Sequence, residues 1–223
     1  MTYDATRSRV EEYFDRTATR TWERLTSDAP VSKIRQTVRE GRDTMRALML
    51  SRLPERLDGA RVLDAGCGTG MMTQELAARG AEVVAVDISP SLVGIARQRL
   101  PKEFGGQVRF ESGDMLSREL GYFDHVMAMD SLIYYSGTDI GSALERLGRR
   151  TASNIVFTVA PRTTLLMGMW YAGKLFPRSD RSPVMIPHAP ARLAREVKAH
   201  GTIADLGRVS RGFYISQALE YRP

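Results

Sequence analysis

The chain of 223 residues contains one cysteine, Cys67, and three histidines. It therefore has no internal disulfide framework and no cluster of thiolate zinc ligands, a usage that suits a reducing compartment. Long apolar runs are missing as well. The nearest approach to one, Leu165 to Gly173, stops at Lys174, far short of the roughly 18 residues that suggest a membrane span. The opening Met-Thr-Tyr-Asp-Ala-Thr-Arg has no apolar stretch of the kind a secretory leader needs, so the expected location is the cytoplasm. Internal repeats and low-complexity tracts are absent, and the only compositional oddity is a loop holding Pro177, Pro183, Pro187 and Pro190.

Charge is in surplus but unevenly placed. The net value is +6; residues 160–223 carry 10 Lys and Arg against 4 Asp and Glu, whereas residues 62–159 carry 9 against 12. A basic balance of this kind fits a nucleic acid, a membrane surface or a small acid, or plain solvation. The length is enough for one domain with appendages and a sizeable core.

Apolar periodicity places two helical stretches first. Val10, Tyr13, Phe14, Ala18, Trp22 and Leu25 recur at three and four over residues 6–25; Ser32 caps a second stretch with Ile34, Val38, Met45, Leu48, Met49 and Leu53, in which Gly41 reads as a weak point and which Pro54 ends. From residue 61 strands and helices alternate: 61–65 and 71–79, 82–87 and 89–100, 107–111, 123–129 and 138–149, then 153–160. That order predicts an α/β domain on a mostly parallel, Rossmann-like sheet. Beyond it come an apolar helix near 163–175, the proline-rich loop 176–190, a helix over 191–200, and segments 202–209 and 212–221 that read as a closing antiparallel hairpin and complete seven strands. The expected organisation is a helical lid over 1–56 and a domain over 57–223, with an insert near 161–190 that binds substrate.

The most informative stretch is Arg61-Val-Leu-Asp64-Ala-Gly66-Cys67-Gly68-Thr-Gly70. A buried strand runs into a glycine turn that opens a helix, whose unpaired N–H groups point at the same spot. Asp64 stands two residues before the first glycine, where a carboxylate repels a dinucleotide's pyrophosphate and attracts the α-ammonium of S-adenosylmethionine (SAM). Met71 occupies a position where a dinucleotide fingerprint requires glycine. Asp87, 17 residues past Gly70, ends the second strand, where it can accept both ribose hydroxyls. Asp114 follows the third and can accept an adenine amino group, with Ile88 and Met115 as faces for the ring.

The motifs V-L-D-A-G-C-G-T-G, V-D-I-S, G-D-M and Phe123-Asp-His-Val-Met-Ala-Met129-Asp130 resemble those of the class I SAM-dependent methyltransferases over roughly residues 60–160. Cys67 and Met129 join the cofactor-binding set on that basis. Nucleic-acid amino methyltransferases carry a polar residue and Pro-Pro-aromatic after the fourth strand; here the sequence is Asp130-Ser-Leu-Ile-Tyr134-Tyr135, so no nucleic-acid partner is expected. A closer resemblance runs through nearly the whole chain: Tyr13-Phe-Asp-x5-Thr-Trp22-Glu-Arg, Asp130-Ser-Leu-Ile-Tyr-Tyr135, Ala160-Pro-Arg-Thr163 and Arg211-Gly-Phe-Tyr-Ile-Ser216. These segments look like those of the magnesium-protoporphyrin IX O-methyltransferase family of the (bacterio)chlorophyll pathway. The resemblance implies transfer of methyl to a porphyrin propionate, magnesium that enters with the substrate and not as a protein-bound metal, and the large subunit of magnesium chelatase as partner.

A flat apolar disc with two carboxylates needs apolar walls and arginines. Leu165, Leu166, Met169, Trp170 and Phe176, with Tyr13 and Trp22 of the N-terminal stripe, are the expected walls; Arg162, Arg178, Arg181 or Arg211 can pair a propionate. His188 can reach the porphyrin, its magnesium or a propionate, or serve as a turn residue before a helix, while His125 and His200 read as structural. The chain departs from plant and cyanobacterial members of the family, which read L-I-H-Y after strand four and place a tyrosine after the N-terminal tryptophan. Tyr134 and Thr26 stand there instead, leaving Tyr134 as the one candidate catalytic side chain, in an orienting role. Other readings are a methyltransferase of a quinone or lipid amine, or a porphyrin carrier without catalysis. Peripheral contact with a membrane through the apolar helix and basic C-terminal third is a further expectation.

Overall fold

The computed structural model describes residues 3–27, 30–162 and 183–223, apart from the side chains of residues 17, 18 and 20. Three helices come first: α1 (Tyr3–Tyr13), α2 (Thr19–Leu25) and α3 (Lys33–Leu50). The sequence predicts one unbroken helix over 6–25. In the structure a π-helical segment, Phe14–Ala18, separates α1 from α2. Thr19 Oγ1 donates to the Phe14 carbonyl at 2.5 Å, five residues back, a polar contact in keeping with the wider turn.

The sheet contains β1 (Arg61–Ala65), β2 (Glu82–Asp87), β3 (Val108–Ser112), β4 (Phe123–Ala128), β5 (Thr151–Pro161), β6 (Pro187–His188), β7 (Thr202–Arg211) and β8 (Tyr214–Arg222). The spatial order is β3-β2-β1-β4-β5-β8-β7, with the two-residue β6 paired to β5. The first five strands are parallel, and β8 runs antiparallel between β5 and β7. The predicted seven strands and closing hairpin are present, and β6 is an eighth strand, too short at Pro187 and His188 for any alternation to reveal.

Helices α4 (Met71–Ala78), α5 (Pro90–Arg99), α6 (Gly137–Gly148) and α7 (Pro190–Glu196) complete the described architecture. The helix expected over 191–200 ends four residues early. Strand residues alternate between two cores, as a period of two requires. Leu63, Val84, Val126 and Ala128 pack on one side with Ile140, Leu144 and Leu193 from α6 and α7; Val62, Val83, Ala85 and Met127 pack on the other with Met45, Met49, Met72 and Leu76 from α3 and α4. The α3 segment, read from sequence as part of a lid, thus supplies fully buried methionines to the core beside β1 and α4.

Strand order reverses between β1 and β4, the place where open α/β sheets bind ligands beyond their carboxyl ends. The apolar helix predicted near 163–175 lies outside the described residues.

Candidate active site

At that reversal lies a cavity that opens in part to solvent. Its floor is the set of strand ends the sequence singled out. Asp64 of β1 and Gly66, Cys67 and Gly68 of the turn after it, Asp87 at the end of β2 and Ile88 after it, Asp114 and Met115 after β3, and Met129 and Tyr134 after β4 all line it. Val10, Phe14, Trp22 and Thr26 form its cover.

The glycine turn is fixed from both sides. Gly66 and Cys67 donate their N–H groups to the Val86 carbonyl at 2.8 and 3.0 Å. Gly66 has φ +88°, and a Cβ there would fall 2.5 Å from Ser131 Cβ, so no larger residue fits. Gly70 does not line the cavity. It caps α4 at φ +85°, and a Cβ would meet that of Ala96 at 3.0 Å. Its smallness lets α4 and α5 approach.

Asp64 is 1 % exposed and shares a strand face with Val62, which turns it towards α4. Thr73 of that helix donates its hydroxyl to Asp64 Oδ2 at 2.6 Å. Burial, with the neighbouring Asp87 charge adding to it, lifts the Asp64 carboxyl to about 7, the Thr73 hydroxyl opposing. A buried carboxyl with no cation among its partners in the described residues matches a ligand that brings a cation, such as an α-ammonium. Asp87 accepts from the backbone N–H groups of Gly68, at 2.8 Å, and Ser89, at 2.9 Å. Burial still raises its carboxyl above the ordinary range. The lone thiol, Cys67, is buried, and that burial, with the Asp87 and Asp64 charges adding to it, pushes the thiol far up, so it stays protonated.

Asp114 is already engaged. Its Oδ1 accepts from the Leu116 N–H at 2.8 Å and the Tyr3 hydroxyl at 2.9 Å, and its Oδ2 from Arg7 at 3.0 Å. A carboxylate has about four acceptor sites, so one direction remains for a ligand's amino group. Asp15 fastens the cover at the start of α5, its Oδ1 accepting from Ser91 Oγ at 2.6 Å and Ser89 Oγ at 3.2 Å. Thr26 accepts from Thr69 of the glycine loop at 2.8 Å and from Arg99 at 2.9 Å.

The acceptor side is built around Asp130, a residue to which sequence reasoning assigned no role. Its φ of +56° is the only positive value at a non-glycine among the described residues, a strained conformation that clusters at functional sites. Arg42 donates to Asp130 Oδ2; Thr158 donates to Oδ1 at 3.1 Å; Tyr214 donates to both oxygens at 3.2 and 3.3 Å. Arg42 also lies over the Trp22 ring at 4.6 Å. Trp22 therefore stands at the cavity, as expected. Tyr134 packs on Phe14 with ring centroids 6.2 Å apart. Burial, followed by the Asp130 charge, holds its phenol far above the ordinary value, so it can donate a hydrogen bond but not act as a base near neutral pH.

The remaining expectations fall elsewhere. Tyr13 packs edge-on against Phe14 and does not line the cavity. His188 is buried, and its Nε2 donates to the Tyr135 carbonyl at 2.9 Å; burial lowers its basicity. It ties β6 to the loop after β4, the structural alternative, and with Arg162 lines a separate cavity against α7. Arg211 is exposed at the end of β7. These placements move His188, Arg162 and Arg211 out of the main cavity. Trp170, Arg178 and Arg181 lie outside the described residues. His125 Nδ1 bonds to Asn154 at 2.6 Å, in line with its structural reading.

Residues 62–154 match the model of a methyltransferase domain. Together with the strand order and the acids at successive strand tips, that defines a class I SAM-dependent methyltransferase fold. Residues 128–223 match the model described as the magnesium-protoporphyrin IX methyltransferase C-terminus. A magnesium-protoporphyrin O-methyltransferase from Rhodobacter capsulatus is 65 % identical over 222 residues, covering 99 % of this chain and 98 % of that protein. One from Synechocystis is 30 % identical, covering 95 % and 94 %. The crystal structure of magnesium protoporphyrin IX methyltransferase from Synechocystis with bound SAH has a TM-score of 0.81 at 29 % identity, covering 97 % of this chain and 99 % of that one. The chain belongs to the magnesium-protoporphyrin O-methyltransferase family.

Proposed function

We propose that this chain transfers the methyl group of SAM to a propionate carboxylate of magnesium-protoporphyrin IX, giving the monomethyl ester of (bacterio)chlorophyll synthesis. The observation that carries the reading is one cavity with acids at three successive strand tips on one side and Phe14, Trp22, Arg42 and Tyr134 on the other. Asp64 holds the donor's ammonium, Asp87 its ribose and Asp114 its adenine amino group, with Ile88, Met115 and Met129 around the ring. The donor supplies an electrophilic methyl on a cationic sulfur.

An acceptor propionic acid has a pKa near the glutamic reference of about 4.3, so it arrives ionised and needs no base. A carboxylate oxygen forms the new bond to the methyl carbon, the carbon–sulfur bond breaks, and its electron pair stays on sulfur. No proton moves. This agrees with Tyr134 being a fixed phenol. Opposite charges vanish in the step, so a water-poor cavity favours it, and alignment can contribute about 7–11 kcal/mol. The cover formed by α1 and α2 supplies that dryness and alignment.

The magnesium chelatase large subunit is the proposed protein partner, on the strength of the family resemblance alone. Peripheral membrane contact is the second proposed association, supported by the basic surplus past residue 160; no described helix is long and apolar enough to cross a membrane.

Incubation with SAM and either magnesium-protoporphyrin or a catechol-type quinol tests the reading. An alkali-labile ester on the porphyrin supports it. An alkali-stable ether on the quinol with unmodified porphyrin rejects it in favour of the quinone alternative, and failure to bind SAM at all favours the carrier.

A further inference from the structure

We infer that Arg42 is the cation that pairs with the acceptor carboxylate and aims it at the methyl group. This rests on the porphyrin reading above, and deepens it by assigning the residue that the sequence sought among Arg162, Arg178, Arg181 and Arg211.

Among the described residues three arginines line the cavity: Arg7, Arg42 and Arg46. Their places differ. Arg7 is bound to Asp114 at 3.0 Å, at the end of β3, which is the adenine side. Arg46 is paired with Asp43 at 2.7 Å and approaches Glu75 at 4.0 Å, both on helices behind the glycine turn. Arg42 alone is fastened to the residue that follows β4, across the strand-order reversal from Asp87 and Asp114. A donor lying over β1, β2 and β3 leaves that side for the acceptor.

The guanidinium is held but not used up. Asp130 takes one of its nitrogens, Nη1, and the Trp22 ring lies under its plane. Among the described residues Nε and Nη2 have no hydrogen-bond partner, in a group with five donor hydrogens suited to a two-pronged carboxylate contact. Asp130 is itself shared, because Thr158 and Tyr214 also donate to that carboxylate and take up part of its hydrogen-bonding capacity. Next along the chain, Ser131 Oγ is buried without a hydrogen-bond partner and lines the same cavity, a second donor on the acceptor side. Fixed at both ends by Asp130 and Trp22, Arg42 loses little freedom on meeting a carboxylate, which is the condition for orientation to contribute to rate.

The experiment compares Arg42→Gln with the native protein on magnesium-protoporphyrin and on its dimethyl ester, reading binding by porphyrin fluorescence and SAM affinity by calorimetry. The native protein should bind the free acid more tightly than the diester. Arg42→Gln should bind the two alike, with the acid weakened by at least about 30-fold, the scale for truncating a desolvated charge pair, and SAM affinity unchanged. Because that substitution leaves Asp130 without its cation, the double variant Arg42→Gln with Asp130→Asn restores neutrality and should show the same loss of preference. If either variant that still binds SAM keeps the native preference for the acid, Arg42 is not the anchor. If the native protein itself shows no preference and makes no ester, the porphyrin reading has failed instead.

Discussion

Tyr3 donates its hydroxyl to Asp114 at 2.9 Å, joining the first helix of the chain to the loop after the third strand, 111 positions away. The same ring stacks on Tyr135 at 4.8 Å. The carboxylate that the sequence assigns to an adenine amino group is therefore also the latch for α1, and occupancy of the cavity and closure of its cover share one residue.

Tyr3→Phe keeps the stacking and removes the latch bond to a charged carboxylate, a net loss of about 1.5–3 kcal/mol. Amide hydrogen exchange across α1 should speed up by roughly ten- to a hundredfold while α4 and β1 stay protected, as expected of local opening. Unchanged protection of α1 would show that the bond does not hold the cover.

The raised Asp64 carboxyl fixes a pH dependence. With its folded value near 7 and its unfolded reference at 3.8, the folded ligand-free protein holds more protons between those limits. Stability from this group is then fully present at acid pH and is lost as pH climbs through that window. An ammonium ligand needs the ionised form, so SAM affinity should fall as pH drops below about 7. Asp64→Asn should bind SAM weakly at every pH and lose the dependence. Calorimetry on either side of that value checks both, and a flat native profile with full affinity would contradict them.

Tyr134→Phe tests whether the phenol moves a proton. Since a carboxylate nucleophile has none to lose, kcat should stay within about tenfold of native. A fall into the range of about 10²–10⁴ typical of general acid–base groups would mean that Tyr134 takes part in proton transfer.

The strands, their directions and the positions of the three acids were legible because each rests on local chemistry: short apolar runs that reach Asp64 and Asp87, and a strand and glycine ahead of Asp114. The parts that were hidden depend on distant partners. Gly41 reads as a weak point in a helix, yet a Cβ there would lie 2.7 Å from the Tyr214 ring, so its smallness is what lets α3 cross the final hairpin. Arg42 and Asp130 are 88 positions apart, and nothing near either one announces the pair. His188 reads two ways in sequence, as a porphyrin contact or as a turn residue, and only the distant Tyr135 carbonyl that its ring meets shows how the fold holds it.

Gly41→Ala should therefore destabilise despite alanine's better helix propensity. Overpacking costs about 1–3 kcal/mol against a propensity gain of roughly 1 kcal/mol. Urea unfolding settles the sign: a higher midpoint in the variant would mean that Tyr214 yields freely and the close crossing is not tight.

The decisive measurement is a single turnover with protein in excess, SAM carrying a deuterated methyl group and magnesium-protoporphyrin, read by fragment mass spectrometry. The prediction is one labelled methyl per porphyrin, as an ester on a propionate oxygen, with no label on the protein. Label retained on a protein side chain, or a porphyrin that leaves unlabelled while SAM is consumed, would contradict direct transfer to a positioned carboxylate.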